Sequence, residues 1–460
     1  MQAKFLIIGA GPTGLGAGLR LKELGENDFV IVEACDGPGG LARSFTDDQG
    51  FTWDIGGHIQ FSHYQYYDEV MLRSLPPDGW LHHQRESWAW MKDRFVPYPV
   101  QNNIRYLPKE SLWDCLEGLI EGYRKPGTTP QNFREWIVGT FGEGLAQHFL
   151  VPYNFKVWAH PTTEMSFQWI GERVAVTDLK RIVRNILFEK DDLSWGPNHT
   201  FKFPKQGGTG AIWSSVASEL ENKILFREKV TKVYPRDRVV ELENGKTVGY
   251  RNLLSTMPLD LLCQKLPDSA LKSIASGLKH SSSHIVGIGL KGQPPSALKT
   301  KCWMYFPENN CPFYRATVFS NYSPFNVPDA QTFWSLMTET SESTHKPVDR
   351  EKLVDETITG LVNTKLIDPS SSVVSKWLYT AEYGYPVPTL ERDRILATVL
   401  PELEKSSIYS RGRFGAWKYE VSNQDHCFMQ GVEWVNRIIL KVPELTYRFP
   451  NTANANWGNP

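Results

Sequence analysis

The run Gly9-Ala10-Gly11-Pro12-Thr13-Gly14 constrains this chain more than any other part of it. Lys4 to Ile8 before it is apolar and β-prone, and Leu15, Leu19 and Leu24 after it recur on one helical face, with Gly25 as the C′ residue. A second strand, Phe29 to Val32, ends in Glu33, nineteen residues past Gly14. Strand, Gly-x-Gly-x-x-Gly, helix, strand and terminal acid in this register predict a dinucleotide site. Gly9 permits the tight turn, Gly11 admits a pyrophosphate to the backbone, and Gly14 lets helix and strand pack closely. The helix N-terminus offers unpaired N–H groups to the anion, and Glu33 suits an unphosphorylated ribose. A second glycine-rich loop, Gly37-Pro38-Gly39-Gly40-Leu41-Ala42, follows at once. Flavin folds of the glutathione-reductase type use such a loop to bring backbone to the ribityl chain and ring, so FAD is expected, with NAD the lesser alternative.

With 460 residues, 41% hydrophobic, the chain exceeds what one core usually serves, and two or three domains are expected. A formal charge of -1 gives no footprint for nucleic acid or an anionic membrane. Cys35, Cys115, Cys263, Cys302, Cys311 and Cys427 form neither Cys-x-x-Cys nor a Cys/His metal spacing, so free thiols in a reducing, cytoplasmic compartment and no metal are expected. Phe5 to Ile8 is too short for a signal-peptide core, and no apolar run reaches the ~18 to 20 residues that span a bilayer.

Further along, Asp54-Ile55-Gly56-Gly57-His58 and Phe61-Ser62-His63-Tyr64 combine glycines and histidines as packing alone rarely does. Trp88 to Tyr98 reads as a hairpin turning at Lys92-Asp93. Residues 105 to 190 read as helical: a stripe of Leu112, Leu116, Leu119, Ile120 and Tyr123, a helix opening at Pro130 with Phe133, Trp136 and Ile137, and a third capped by Thr177-Asp178 with Leu179, Ile182, Val183, Ile186 and Leu187 inward. Tyr153 to Trp158 and Gly171-Glu172-Arg173 read as segments between helices. Lys223 to Met257 reads as a meander with an Asn244-Gly245 turn. Strand-like runs at 285–290, 303–306, 315–322, 333–338 and 373–379 predict an antiparallel sheet. Arg411-Gly412-Arg413-Phe414-Gly415 and a helix bearing Phe428, Val432, Val435 and Ile438 close the chain.

The words Gly-Gly-His-x-x-Phe-Ser-His-Tyr, Tyr-Asn-Phe-Lys-Val-Trp, Gly-Glu-Arg-Val-Ala, Trp-Gly-Pro-Asn, Cys-Pro-Phe-Tyr-Arg-Ala-Thr and Tyr-Glu-Val-x-Asn-Gln-Asp-His run in one order from Phe5 to about Val435. In these the chain closely resembles the UDP-galactopyranose mutases of the eukaryotic type. The resemblance implies an α/β fold: a Rossmann-like FAD domain from residues 1–85, 203–265 and 385–460, a helical domain at 105–190, and an antiparallel-sheet substrate domain from 86–104, 191–202 and 266–384. It implies diphosphate-binding arginines at Arg173 and Arg315, with Tyr305, Tyr385 and Tyr419 beside them. Uridine contacts fall on Tyr98, Gln101, Asn154 and Trp158, Asn198 and Trp303 line the sugar pocket, and Tyr322 is a further substrate contact. Gly57 and His58 match the loop at the flavin N5 edge. Arg413, Asn423, Gln424 and Val230 join Gly9, Gly11, Gly14, Glu33, Gly39, Gly40 and Leu41 as cofactor contacts. The loop between Tyr322 and Phe333 is shorter than in some fungal members, and the resemblance leaves the oligomeric state open.

The residues agree with that chemistry. A nearly neutral chain meets a diphosphate with placed guanidinium forks, and uracil wants aromatic faces with amide partners. The implied reaction interconverts UDP-galactopyranose and UDP-galactofuranose by attack of reduced FAD N5 on the galactose anomeric carbon, with NADPH or NADH as the reductant. Two rivals stay open: a flavin-dependent oxidase of the amine or protoporphyrinogen type, and a non-catalytic flavin-fold binding protein of the Rab-escort kind.

Overall fold

The computed structural model describes residues 1–124, 129–171, 174–193, 199–267 and 270–455. Its first sheet is ordered Val230–Tyr234, Val239–Leu242, Thr247–Ser255, Gln2–Ile8, Phe29–Val32, Ile224–Leu225, with Ile408–Ser410 also pairing with Thr247–Ser255. The pairs around Gln2–Ile8 are parallel, as the glycine-loop register requires, and the Val230–Ser255 meander adds its antiparallel strands at one edge. Two helices close one face: Pro12–Glu23, which springs from the glycine loop, and Gln424–Leu440. They touch backbone to backbone, since a Cβ on Gly431 would meet the Thr13 carbonyl oxygen at 1.9 Å. Phe428, Val432 and Val435 are buried as expected, and Ile438 is partly so.

The second sheet is ordered Val373–Val387, Lys279–Lys291, Phe333–Glu342, Arg315–Val318, Trp303–Tyr305, Ser87–Met91, Arg94–Pro97. It is antiparallel except where Trp303–Tyr305 runs parallel to Ser87–Met91, a joint the strand-like runs do not reveal. The hairpin turns where expected, with φ of 51° at Lys92 and 61° at Asp93, as a tight turn between right-twisted strands requires. A separate ladder pairs Trp80–Gln84 with Thr200–Pro204 and has no sequence-level signal beyond alternation.

The helical region corrects three readings. Tyr123 and Leu187 are 80% and 73% exposed, and Val183 is exposed as well. The helix Lys109–Arg124 meets Phe133–Leu145 along Ser111, Cys115 and Leu119, because Gly118, Gly142 and Gly144 let the two backbones touch, and this rotates the contact line away from Tyr123. The second helix starts at Phe133 rather than Pro130: Asn132 caps it, its side chain accepting from the Glu135 N–H at 3.0 Å. Tyr153 to Trp158 is helical, continuing a wide turn at Ala146–Leu150 into Val151–Trp158. Pro152 sits in the first turn, where its missing N–H costs nothing. Asp178 caps Leu179–Leu187 as expected.

Candidate active site

The C-terminal ends of the parallel strands and the concave side of the second sheet enclose one cavity of about 890 Å³. Gly9, Gly11, Glu33, Gly40, Leu41 and Val230 line one end. Gly9 has a φ of +103°, and a Cβ there would meet the Thr256 hydroxyl at 2.1 Å. Gly14 does not line the cavity; a Cβ on it would meet the Gly9 carbonyl oxygen at 1.9 Å, so it lets the helix start against the strand. Gly39 is likewise behind the wall, with a φ of +104° and its N–H donating to the Ala10 carbonyl at 2.8 Å. The Glu33 carboxylate accepts from the N–H groups of Ala10, at 2.7 Å, and Cys35, at 2.8 Å, which fixes it at the end of its strand. Gly11 is the N-cap of Pro12–Glu23 and offers no side-chain cap, so the first-turn N–H groups remain available to an anion. A positive helix end, a bare glycine floor and a fixed acid suit the pyrophosphate and ribose of FAD.

The other end is made of side chains: Tyr98, Trp303, Tyr305, Arg315, Tyr322, Tyr385 and Tyr419. Register places Arg315 opposite Glu339 on the adjacent strand. The Arg315 Nε and Nη2 donate to the two carboxylate oxygens at 2.6 and 2.7 Å, Tyr314 OH donates at 2.8 Å, and the Gly57 N–H donates at 2.9 Å. Burial pushes the Glu339 carboxyl up, but Arg315 and these donors bring it below the usual carboxylate range. One fork of the arginine is thus already used, and its remaining N–H groups are what a ligand can take. Glu339 was missed in the sequence; its signal is an acid directly after the strand-like run Phe333 to Thr338, inside the strand Phe333–Glu342. Arg85, another lining cation, was missed too.

The Tyr98 ring lies 4.9 Å from that of Tyr305, inclined at 53°, and the Tyr305 OH accepts from the Trp303 Nε1 at 2.6 Å. Burial raises the pKa of Tyr98, Tyr305, Tyr322 and Tyr385, so these phenols stay protonated and can donate. Between the two ends lie Gly57 and His58. Burial of the His58 ring pushes its pKa down to about 4 against Glu339, which raises it; the Nδ1 is buried without a hydrogen-bond partner. Arg413 donates to the Gly384 carbonyl at 3.0 Å and to Ser422 Oγ at 2.9 Å, and its guanidinium lies over Tyr385 at 4.9 Å. Asn423 and Gln424 line the cavity beside it, the Gln424 side-chain Oε1 accepting from Trp213 Nε1 at 2.7 Å.

Three expected contacts are not on the cavity wall. Trp158 is buried behind Tyr419 and Tyr385, at 4.7 and 5.6 Å between rings. Asn154 donates back to the Leu150 carbonyl of its own helix at 2.8 Å, and Gln101 to the Ala175 carbonyl at 2.9 Å. Arg173 and Asn198 lie outside the described residues.

The chain matches the family described as flavin containing amine oxidoreductase over residues 12–439, which defines it as a flavoprotein of that class. A fatty acid isomerase from P. acnes and a putrescine oxidase bound to putrescine share the fold at 14% and 15% identity, each with a TM-score of 0.64, covering 95% and 96% of this chain and 99% of each of theirs. A crystal structure of a reduced UDP-galactopyranose mutase matches with a TM-score of 0.96 and 48% identity over 99% of this chain and 98% of that one. Within the class, the chain belongs to the UDP-galactopyranose mutase family.

Proposed function

We propose that this protein is a UDP-galactopyranose mutase of the eukaryotic type, isomerising UDP-galactopyranose and UDP-galactofuranose on reduced FAD, with NADPH or NADH as the reductant. The observation that carries the reading is the single cavity, in which a glycine-built dinucleotide end continues into a ring of protonated phenols around a held arginine. When bound and reduced, FAD supplies the electron pair at N5 for attack on the anomeric carbon.

The chain's own residues do the rest. Arg315, with Tyr305, Tyr385 and Tyr419, holds the diphosphate and balances the charge that grows as UDP departs. Glu339 aims Arg315 and ties the Gly57 backbone to it, so the flavin edge and the phosphate end share one carboxylate. His58 presents a neutral ring, adding no cation that would compete with Arg315 for the phosphates. Tyr98 offers an aromatic face to the base, while Trp158 acts by backing Tyr385 and Tyr419. Arg173 completes the diphosphate grip and Asn198 the sugar pocket. The three-domain division stated above, with 105–190 as the helical domain, and a cytoplasmic location go with this proposal. No helix among the described residues is long and apolar enough to cross a membrane.

The test is chromatographic. Dithionite-reduced protein should interconvert the two UDP-sugars and oxidised protein should not. Equal turnover in both redox states would remove the reading, and stoichiometric oxygen consumption with an amine would favour the oxidase.

A further inference from the structure

Spacing along the chain hides what the fold brings together. Among the described residues, two places gather two histidines and a carboxylate with one donor atom of each within 4.8 Å of the others. The first, His63, Asp425 and His426, is buried and already committed. Nδ1 of His63 lies 2.7 Å from Oδ2 of Asp425, and despite burial its histidine neighbours hold the Asp425 carboxyl down at about 2. Asp425 also lines the main cavity, so this cluster belongs to the site above.

The second cluster, His160, Glu164 and His345, lies away from that cavity. His160 follows the Val151–Trp158 helix, Glu164 ends the turn Thr162–Glu164, and His345 stands in the turn after the strand Phe333–Glu342. The His345 Nε2 is 3.7 Å from the Glu164 Oε2. That is too long for a hydrogen bond. It is close to the roughly 3.3 Å that separates two ligand atoms sharing a tetrahedral ion with bonds of about 2.0 to 2.1 Å. The two imidazoles are 4.6 Å apart and inclined at 65°, so their nitrogens can converge on a point beside both rings.

His160 is 5% exposed and packs beside His345. Its buried Nδ1 has no hydrogen-bond partner. The three backbones are anchored independently of any ion. Ser343 Oγ donates to the Ala159 carbonyl, the His345 N–H donates to Ser343 Oγ at 3.0 Å, and the Glu164 carbonyl accepts from the Leu390 N–H at 3.2 Å.

We propose that His160, Glu164 and His345 bind one divalent transition-metal ion of the Zn²⁺ type, with a fourth position open to water. Two imidazoles and one carboxylate are the ligands such an ion prefers, whereas Mg²⁺ and Ca²⁺ favour oxygen alone. The ion joins the end of the helix that carries Tyr153 to the strand that carries Glu339, and so braces the aromatic end of the active site from behind.

The experiment uses the untagged, chelator-treated flavoprotein titrated with ZnCl₂ by calorimetry, beside His345→Ala and Glu164→Gln. Both positions are exposed, and unchanged flavin content checks that each variant is folded. The parent should take up one equivalent and gain melting temperature with Zn²⁺. Each variant should bind at least about tenfold more weakly and lose that gain. No uptake by the parent, or parental affinity in either variant, overturns the proposal, the latter by placing the ion elsewhere.

Discussion

From Gly9 to Gly40 the cavity wall is backbone, and its atoms are held by their own sequence neighbours and by strands of one sheet: the Gly9 N–H donates to the Val32 carbonyl at 2.8 Å and the Gly39 N–H to the Ala10 carbonyl at 2.8 Å. Around Arg315 the wall is side chains, each positioned by a partner from another segment, as Glu339 positions Arg315 and Gly57. Backbone walls fix shape and tolerate no added atoms. Side-chain walls fix charge and tolerate volume changes but not the loss of a partner. The first end should therefore fail by losing flavin, and the second by losing turnover while the protein stays yellow.

Gly14→Ala carries the largest expected effect. Its Cβ would sit 1.9 Å from the Gly9 carbonyl oxygen, and neither backbone can move without displacing the loop. Recovered protein should lack flavin absorbance; a yellow, folded Gly14→Ala would show that this end is more adaptable than its contacts allow. Glu339→Ala strands a half-buried guanidinium, a buried phenol and an N–H, costing at most about 3 to 5 kcal/mol of stability. Thermal unfolding should register that loss with flavin content preserved, and flavin loss matching that of Gly14→Ala would break the distinction between the ends.

Arg315→Lys keeps the charge but not the fork. About 1.5 to 3 kcal/mol of transition-state stabilisation should go. That corresponds to roughly ten- to hundredfold in kcat/KM on the reduced enzyme. Parental kinetics would mean that the fork serves only Glu339. The smallest effect at neutral pH is at His58, between the two ends. Its pKa of about 4 in the fold lies below the 6.5 of the free side chain, so protonation favours the unfolded chain. Its contribution is full above pH 6.5 and is lost as the pH falls toward 4, at most at about 1.4 kcal/mol per pH unit. Denaturant melts of His58→Gln should show a flatter stability profile across that window, with UDP affinity near the parent's. An affinity loss as large as that of Arg315→Lys would put His58 on the phosphates instead.

The same contrast explains what could be read in advance. A glycine loop announces itself because its chemistry is local: strand, turn, helix and Glu33 lie within 33 residues of one another and each obeys its own period. The strands at 285–290 and 333–338 were legible for the same reason; the run 315–322 is a strand only over Arg315–Val318 and then turns at Phe319–Asn321. Which residue of one strand faces which of the next is set by tertiary register, so the pairing of Arg315 with Glu339 was not. Trp158 carries an aromatic that suits a base, yet the fold uses it to support two tyrosines. Its helix was hidden because Pro152 and Asn154 are turn formers in most settings, and Pro152 is harmless only in a first turn. Tyr123 was read inward because large apolar side chains ordinarily lead a helix contact; here glycines lead it.

The pairing of Thr247–Ser255 with both Gln2–Ile8 and Ile408–Ser410 has a consequence during synthesis. The glycine loop leaves the ribosome more than 400 residues before the helix that covers Pro12–Glu23 and brings in Asn423 and Gln424. Until then the nascent chain carries an apolar helix face without its cover and a nucleotide loop without its lid. Contacts spanning more than 400 residues also make closure slow relative to local folding. Flavin capture is therefore completed only once Gln424–Leu440 has emerged, and a ribosome stalled before that helix would present an apoprotein to chaperones and proteases.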